Sequence, residues 1–523
     1  MFDILIKNGT VIDGTGKPMF LADVGIDEEK ISKIGKLQNE KGEIEIDATG
    51  KYICPGFVDV NNHSDAFWQI FLNPNLESLL YQGITTIIGG NCGSSLAPLT
   101  DAKTMESIQK WMDLNRINFN WLTMDEFLKT LERKKLAVNF GTLVGHGTLR
   151  RGLLKDKMRE LKKEELEFIE GRLKKALKEG GLGLSTGLVY VHARSATFDE
   201  LVSLAKMVKE YGGVYVSHMR DEGKDLVNSV KEIIKIAEAS GVKIHISHLK
   251  AVGEKYWKLM DEALKLINEA NNKELDISFD IFPYTNIGSV LYTLLPRWVS
   301  DGGKKMMLGR LRNPLIKMKV IEEMKQSDFD YSKIDIAISN LNRTLGRKRI
   351  TEIAVSQEKS VEEAIIDILV ASEGRVITSV EILNEENIEK AVRHPLAIIS
   401  TNGSGYNLNH KDTGEMVHPR CFGTFSKVLS YYVKEKKILS WEEAVKKMTQ
   451  MPAEKFGIKR RGKLKEGYFA DITVIDPENI QDLATVENPY QYSQGIKAVV
   501  INGQIALQDG ILNQTKNGEI IKS

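Results

Sequence analysis

Apolar positions along this chain follow two rhythms, one at its ends and another through its middle. At the start, "DILIKNGTVIDG" (3–14) has two short apolar runs joined by Asn8-Gly9, a strong hairpin signal. "ADVGIDEEKISKIGKL" (22–37) continues in short strands and turns to about residue 50. Near the end, "YFADITVID" (468–476) and "KAVVINGQIAL" (497–507) repeat that character, the second again broken by Asn-Gly. Two β-rich ends around one long middle predict a small β-sandwich built from residues 1–55 and 451–523.

Between them, short apolar runs such as "TTIIGG" (85–90), "GGVYVSH" (212–218), "VKIHISH" (242–248) and "PLAIIS" (395–400) alternate with amphipathic helices. One helix carries Leu166, Ile169, Leu173 and Leu177 at helical spacing and is stopped by Gly180-Gly181. Strand–helix alternation over roughly 350 residues predicts an α/β domain with a parallel sheet, open or closed into a (β/α)8 TIM-like barrel over 56–450. Candidate strands fall near 53–60, 85–90, 139–144, 181–185, 213–218, 243–248, 276–281, 375–381 and 396–401. That is one more than the barrel needs. The surplus is assigned to an insertion late in the barrel, in the charged stretch about 286–350.

Composition narrows the partners. The 523 residues are 42% hydrophobic and 27% charged, and Lys+Arg 72 nearly cancels Asp+Glu 71. No global field draws nucleic acid or an anionic membrane. No run reaches the roughly 18 apolar residues of a membrane span. Asp3 and Lys7 interrupt the first apolar stretch, which is not read as a secretory signal. Three scattered cysteines, Cys54, Cys92 and Cys421, form no disulfide framework and favour a reducing compartment, so a cytoplasmic location is expected.

In barrels of this kind the C-terminal ends of the strands carry the reaction. His63 ends the first candidate strand, Cys92 follows the second, His218 and His248 end the fifth and sixth, and Asn402 follows the last. Alternation puts residues 244, 246 and 248 on one face, which gives His248 the barrel axis and packs His245 against a helix. The same rule points Asn61 and His63 one way. Cys92, His218 and His248 offer one thiolate and two imidazoles, leaving a fourth position open for water, which is the pattern of a catalytic zinc. Cys54 and Cys421 are read as buried small residues and His146 as structural.

Several stretches then fall in a familiar order. "GFVDVNNHSD" (56–65), "GITTIIGGNCGSSLAP" (83–98), "GHGTLR" (145–150), "GLSTGLVY" (183–190), "YVSHMRDEG" (215–223), "ISHLK" (246–250), "FDIFPYT" (279–285) and "HPRCFGTF" (418–425) resemble the D-aminoacylases. These are N-acyl-D-amino-acid deacylases of the amidohydrolase superfamily, and "RGKLKEGYFADITVIDPE" (461–478) is similar to their tail. The resemblance implies a (β/α)8 barrel with a β-sandwich, a tightly held Zn2+ on Cys92, His218 and His248, and a small N-acyl amino acid as substrate. Relatives that bridge two metals with a modified lysine take it from the fourth strand, which here ends in "LSTG". Tyr190, Lys250, Tyr284, Ser289 and Arg420 match positions near the substrate. Arg420, with its fork of donors, suits the amino-acid carboxylate.

Two positions depart from the family's pattern. Where it has His-x-His, this chain reads Asn61-Asn62-His63, which weakens a second metal position on His63 and Asn61. Where it has a proton-transferring aspartate after the last strand, this chain has Asn402, whose amide is no base near neutral pH. One reading is a working hydrolase with another base, Asp65, His63 or Asp280 being nearest. The alternative is an impaired or repurposed homologue that binds an amide ligand without efficient turnover. Asn402-Gly403 is also a deamidation-prone pair that could regenerate an aspartate.

Overall fold

The computed structural model describes all residues except 102–103, 106–118, 156, 328, 340 and 515, with the side chains of 342 and 343 also left aside. Both chain ends enter one nine-stranded sheet. Strand Tyr52–Pro55 from the first part pairs antiparallel with Ile472–Ile475 from the second, and this seam joins the two halves of the β-sandwich. Ile4, Val24, Ile26, Ile53, Ile472 and Val500 form its core.

The two Asn-Gly pairs behave differently. Asn502 (φ 48) and Gly503 (φ 74) make the expected tight hairpin, with Ile501 paired to Gln504. Asn8-Gly9 does not turn the chain: strand Phe2–Val11 runs straight through it, with a register shift between Ile6 and Gly9. Asn8 takes φ 60 and donates its backbone N–H to Asp23 Oδ1 at 2.7 Å. Before this bulge the strand pairs with Gly42–Asp47, and after it with Tyr52–Pro55. A Cβ on Gly9 would lie 2.4 Å from Ile53, so glycine here admits a neighbouring strand rather than a reversal.

Eight parallel strands form the barrel: Phe57–Asp59, Ile84–Gly89, residues 139–145 with a break at Leu143, Gly183–Gly187, Val214–His218, Lys243–Ile246, Ile277–Ile281 and Ala397–Ile399. A parallel bridge between Asn62 and Gly403 closes the ring, reinforced by the His63 N–H donating to Gly403 O at 2.7 Å. Helix Lys163–Lys178 buries Ile169, Leu173 and Leu177 as its spacing predicts and stops before Gly180, at φ 112. The ninth candidate strand, Val376–Glu381, lies outside the barrel. It is the middle of an antiparallel sheet with Asn286–Val290 and Ile334–Ser339, over a separate core that includes Leu291, Ile334, Ile365 and Val376. The excursion therefore runs past residue 350, because its closing strand pairs between the other two.

The floor of the barrel is plugged from outside the strand order. Glu519 O accepts from Phe140 N–H, Ile521 N–H donates to Phe140 O, and Ile521 packs with Val58, Ile88, Val214 and Phe456 in the barrel interior. No described helix is long and apolar enough to cross a membrane. All three cysteines are buried and none is in a disulfide.

Alternation placed only one of the two histidines of "VKIHISH" correctly: His248 faces the interior as expected, but His245 does not pack against a helix. Ile244 and Ile246 pack in the helix-side core, and His245 points inward, edge-on to Phe456 and bonded to Asp280 Oδ2 (2.9 Å) and Ser278 Oγ (2.8 Å). His248 reaches the same interior nearer the mouth. The strand has ended at Ile246, and a turn with His248 at φ 38 resets its direction.

Candidate metal and substrate site

Cys92 sits in the turn after the second strand, its backbone at φ 53 between Gly90 (φ 71) and Gly93 (φ 73). Asn91 pins this turn by donating its side-chain amide to Val60 O and Ile88 O. His248 (φ 38) and Asn402 (φ 45) also adopt left-handed backbone. Side chains at such positions carry a local cost, and their clustering at one strand-end mouth is what a functional constraint produces.

These turns bring the predicted ligands together. One donor atom from each of Cys92, His218 and His248 lies within 4.8 Å of the other two. Cys92 Sγ is 3.6 Å from His248 Nε2, and the two imidazoles meet edge to face at 4.4 Å. A tetrahedral zinc with ordinary Zn–S and Zn–N bonds sets sulfur and nitrogen roughly 3.5 Å apart, so the donor set fits that ion.

Glu222, in the "SHMRDEG" stretch, was not singled out from the sequence. Its Oε1 accepts from His248 Nδ1 at 2.9 Å and from Lys250 Nζ at 2.6 Å, and its Oε2 is 3.7 Å from His218 Nε2. Lys250 Nζ also lies 2.9 Å from His248 Nδ1; in the tautomer that donates Nδ1–H to Glu222, the Nε2 lone pair of His248 faces Cys92. Burial, with help from the Lys250 charge, holds the His248 imidazole well below its usual range and so in the neutral form a ligand needs. Glu222→Gln is expected to weaken cation affinity about 10- to 100-fold, measured by competition with a chromophoric chelator.

A cavity of about 330 Å³ opens over this group. Tyr190, Lys250, Ser289 and Arg420 line it, as do His63 and Asn402. Tyr190 meets His218 edge-on at 5.2 Å, and burial pushes its phenol well above the usual range. Lys250 is tied to Glu222. Arg420 lies over the Phe282 ring at 4.9 Å, and its Nε and Nη1, shielded from solvent, have no hydrogen-bond partner among the described residues. Burial lowers its pKa. Tyr284 is not on the wall: it stands behind His418, ring to ring at 5.3 Å, with Lys427 Nζ 4.3 Å from its centre. His418, also missed in the sequence, accepts the Arg420 N–H at 3.0 Å and donates to Asn286 O at 3.0 Å. It thereby couples Arg420 to the first strand of the antiparallel sheet.

The altered positions lie on the other side. His63 Nε2 is 3.0 Å from Asn402 Oδ1 and 3.9 Å from Cys92 Sγ. Asn61 does not accompany His63. It turns into the barrel, Nδ2 being 3.3 and 3.4 Å from the two carboxylate oxygens of Asp280. Of the three nearest bases, Asp65 accepts from the Gly90 and Ala66 N–H groups, and burial pushes it up to about 6. Burial also raises Asp280, but hydrogen bonds and charge from His245 and a bond from Ser400 outweigh it, leaving the carboxyl below its usual range. Of the three, His63 alone lines the cavity. Deamidation at Asn402-Gly403 needs the Gly403 nitrogen as nucleophile, yet that N–H donates to Thr401 Oγ1 at 2.9 Å. His146 is held by Glu200 at 2.7 Å, away from the cavity.

Residues 45–280 and 403–507 match the family model described as "Amidohydrolase family". The gap between them contains the antiparallel sheet. The chain is 30% identical over 520 residues to a D-aminoacylase of Alcaligenes xylosoxydans xylosoxydans, covering 99% of this chain and 97% of the relative. An N-acyl-D-glutamate deacylase of Bordetella bronchiseptica, solved with zinc and a phosphonate mimic of the tetrahedral intermediate, superposes with a TM-score of 0.84 at 26% identity, over 100% of both chains. A D-aminoacylase described as having a binuclear metal centre, with one-metal activation and second-metal attenuation, gives 0.84 at 29% identity, also over 100% of both chains.

Proposed function

We infer the function from one premise: the chain belongs to the D-aminoacylase family of the amidohydrolase superfamily, and it is a metal-dependent hydrolase of amide bonds. The substrates that fit are N-acyl amino acids, and we propose the D series, with Zn2+ as the cation and a cytoplasmic setting. One observation carries this reading: the Cys92–His218–His248 donors and the unpaired Arg420 guanidinium face one cavity.

A cation held by Cys92, His218 and His248 would polarise the scissile carbonyl and make water a competent nucleophile near neutral pH. Glu222 keeps His248 in the tautomer that can ligate. Arg420 takes the α-carboxylate in its planar fork, and that anchor fixes which bond lies over the donor group. Phe282 lies beneath the guanidinium, and His418 holds the Arg420 backbone by accepting its main-chain N–H. Asn402 donates or accepts a hydrogen bond at the position of the family's aspartate but cannot carry the proton to the leaving nitrogen. His63, touching Asn402, is a group on the wall with acid–base capacity next to that position.

Arg420→Ala is expected to lower kcat/KM roughly 10- to 10²-fold, mainly through KM, since hydrogen bonds to a charged partner contribute about 1.5–3 kcal/mol. The same loss on an N-acyl amine without a carboxylate would count against the assigned role. The proposal as a whole is tested by zinc analysis and a panel of N-acetyl-D- and N-acetyl-L-amino acids. Hydrolysis of the D series that disappears with a chelator and returns with Zn2+ supports it. Failure of both the unaltered chain and Asn402→Asp to hydrolyse any member in the presence of Zn2+ sinks it. Asn402 itself favours a second reading, a pocket that binds N-acyl amino acids with little turnover; there, ligand binds the unaltered chain and hydrolysis returns only in Asn402→Asp.

A further inference from the structure

Beside the Cys92–His218–His248 group stands a second set of possible donors, His63 with Asn61 and Asn402, and the Asn61 amide NH2 and His63 Nε2 are already engaged. We infer that this protein holds a single cation, because two amides close the adjoining position. The inference rests on the metal reading proposed above.

Asp280 accepts from Ser400 and is paired with His245, so it faces Asn61 as an acceptor and the amide must turn its NH2 end toward it. What Asn61 has left is its carbonyl oxygen, fully buried and without a partner among the described residues. A neutral amide oxygen is a weak substitute for imidazole toward a borderline-soft cation. His63 Nε2, the ring nitrogen nearest Cys92, is held by Asn402 at 3.0 Å. Asn402 also supplies no anionic oxygen. Two neutral amides and one imidazole thus bring no charge to the position, and the Cys92 thiolate beside it is already a donor to the first group. The residues present do not fit a second divalent cation.

Metal analysis after equilibrium dialysis of the purified full chain against excess Zn2+ tests this without reference to turnover. One equivalent is expected in the unaltered chain, unchanged in His63→Ala. Two are expected in the Asn61→His/Asn402→Asp double variant, whose retained first equivalent reports that it is folded. Two equivalents in the unaltered chain, falling to one in His63→Ala, would overturn the inference and leave the metal reading standing. One equivalent in the double variant would show that the amides are not what closes the position. Zero equivalents in the unaltered chain would overturn the metal reading and this inference together.

Discussion

Cys92→Ala is expected to lower kcat/KM for N-acyl amino acids by at least about 10³-fold and to release the bound cation. Metal polarisation of a carbonyl contributes several kcal/mol to the barrier, and each ~1.4 kcal/mol is tenfold in rate. Cys92 is the one thiolate donor of the group among the described residues, its sulfur 3.6 Å from His248 Nε2. The substitution leaves the turn intact, because Asn91 and the flanking glycines hold it, although alanine must still adopt φ 53. Thermal stability measured in chelator is therefore expected to change little, while the stabilisation gained from added Zn2+ disappears. Full hydrolytic activity in Cys92→Ala would refute the assigned centre.

Asn402→Asp is expected to act in the opposite direction, raising kcat by about 10²- to 10⁴-fold, the usual contribution of a positioned acid–base group. The position already has its geometry. The backbone is at φ 45, the side chain lines the cavity, and Thr401 is anchored by Asp59 through its N–H and hydroxyl. The change is isosteric, and the new carboxylate meets His63 at hydrogen-bond distance. A rise in kcat with little change in KM is the expected signature. An unchanged kcat would mean that proton transfer already proceeds elsewhere, with His63 the first residue to replace. Peptide mass at 402–403 in the unaltered chain is the check that separates its activity from that of any spontaneously formed aspartate.

Much of the donor group was legible in the sequence because strand ends are. Cys92, His218 and His248 each follow a short apolar run, and a parallel barrel gathers such ends at one mouth. What failed was the extension of strand alternation past the strand itself. Lys243–Ile246 stops two residues before His248, and a left-handed turn makes parity meaningless there, so His248 and His245 both face the interior and His245 was wrongly assigned to the helix side. Asn8-Gly9 failed for a related reason: the same dipeptide serves a tight turn at 502–503 and a bulge at 8–9, and only the strand packed against Gly9 decides. Val376–Glu381 reads like any buried strand, since its partners lie about 40 and 90 residues upstream in no local pattern. Glu222 and His418 act through other side chains, and nothing in their spacing marks that. Tyr284 sits one ring too deep, a displacement that no one-dimensional pattern records.

The wedge under the barrel has a consequence for the order of assembly. Glu519 donates its backbone N–H to Asn139 Oδ1 across 380 positions of chain, and Ile521 fills the space between the strands. The third strand cannot gain its final support until nearly all the intervening polypeptide has been made and folded around it. Such long-range closure is slow, and until it occurs the apolar floor stays open to solvent and to other chains. Shortening the protein before Gly518 would leave that opening permanent, with self-association as its first symptom.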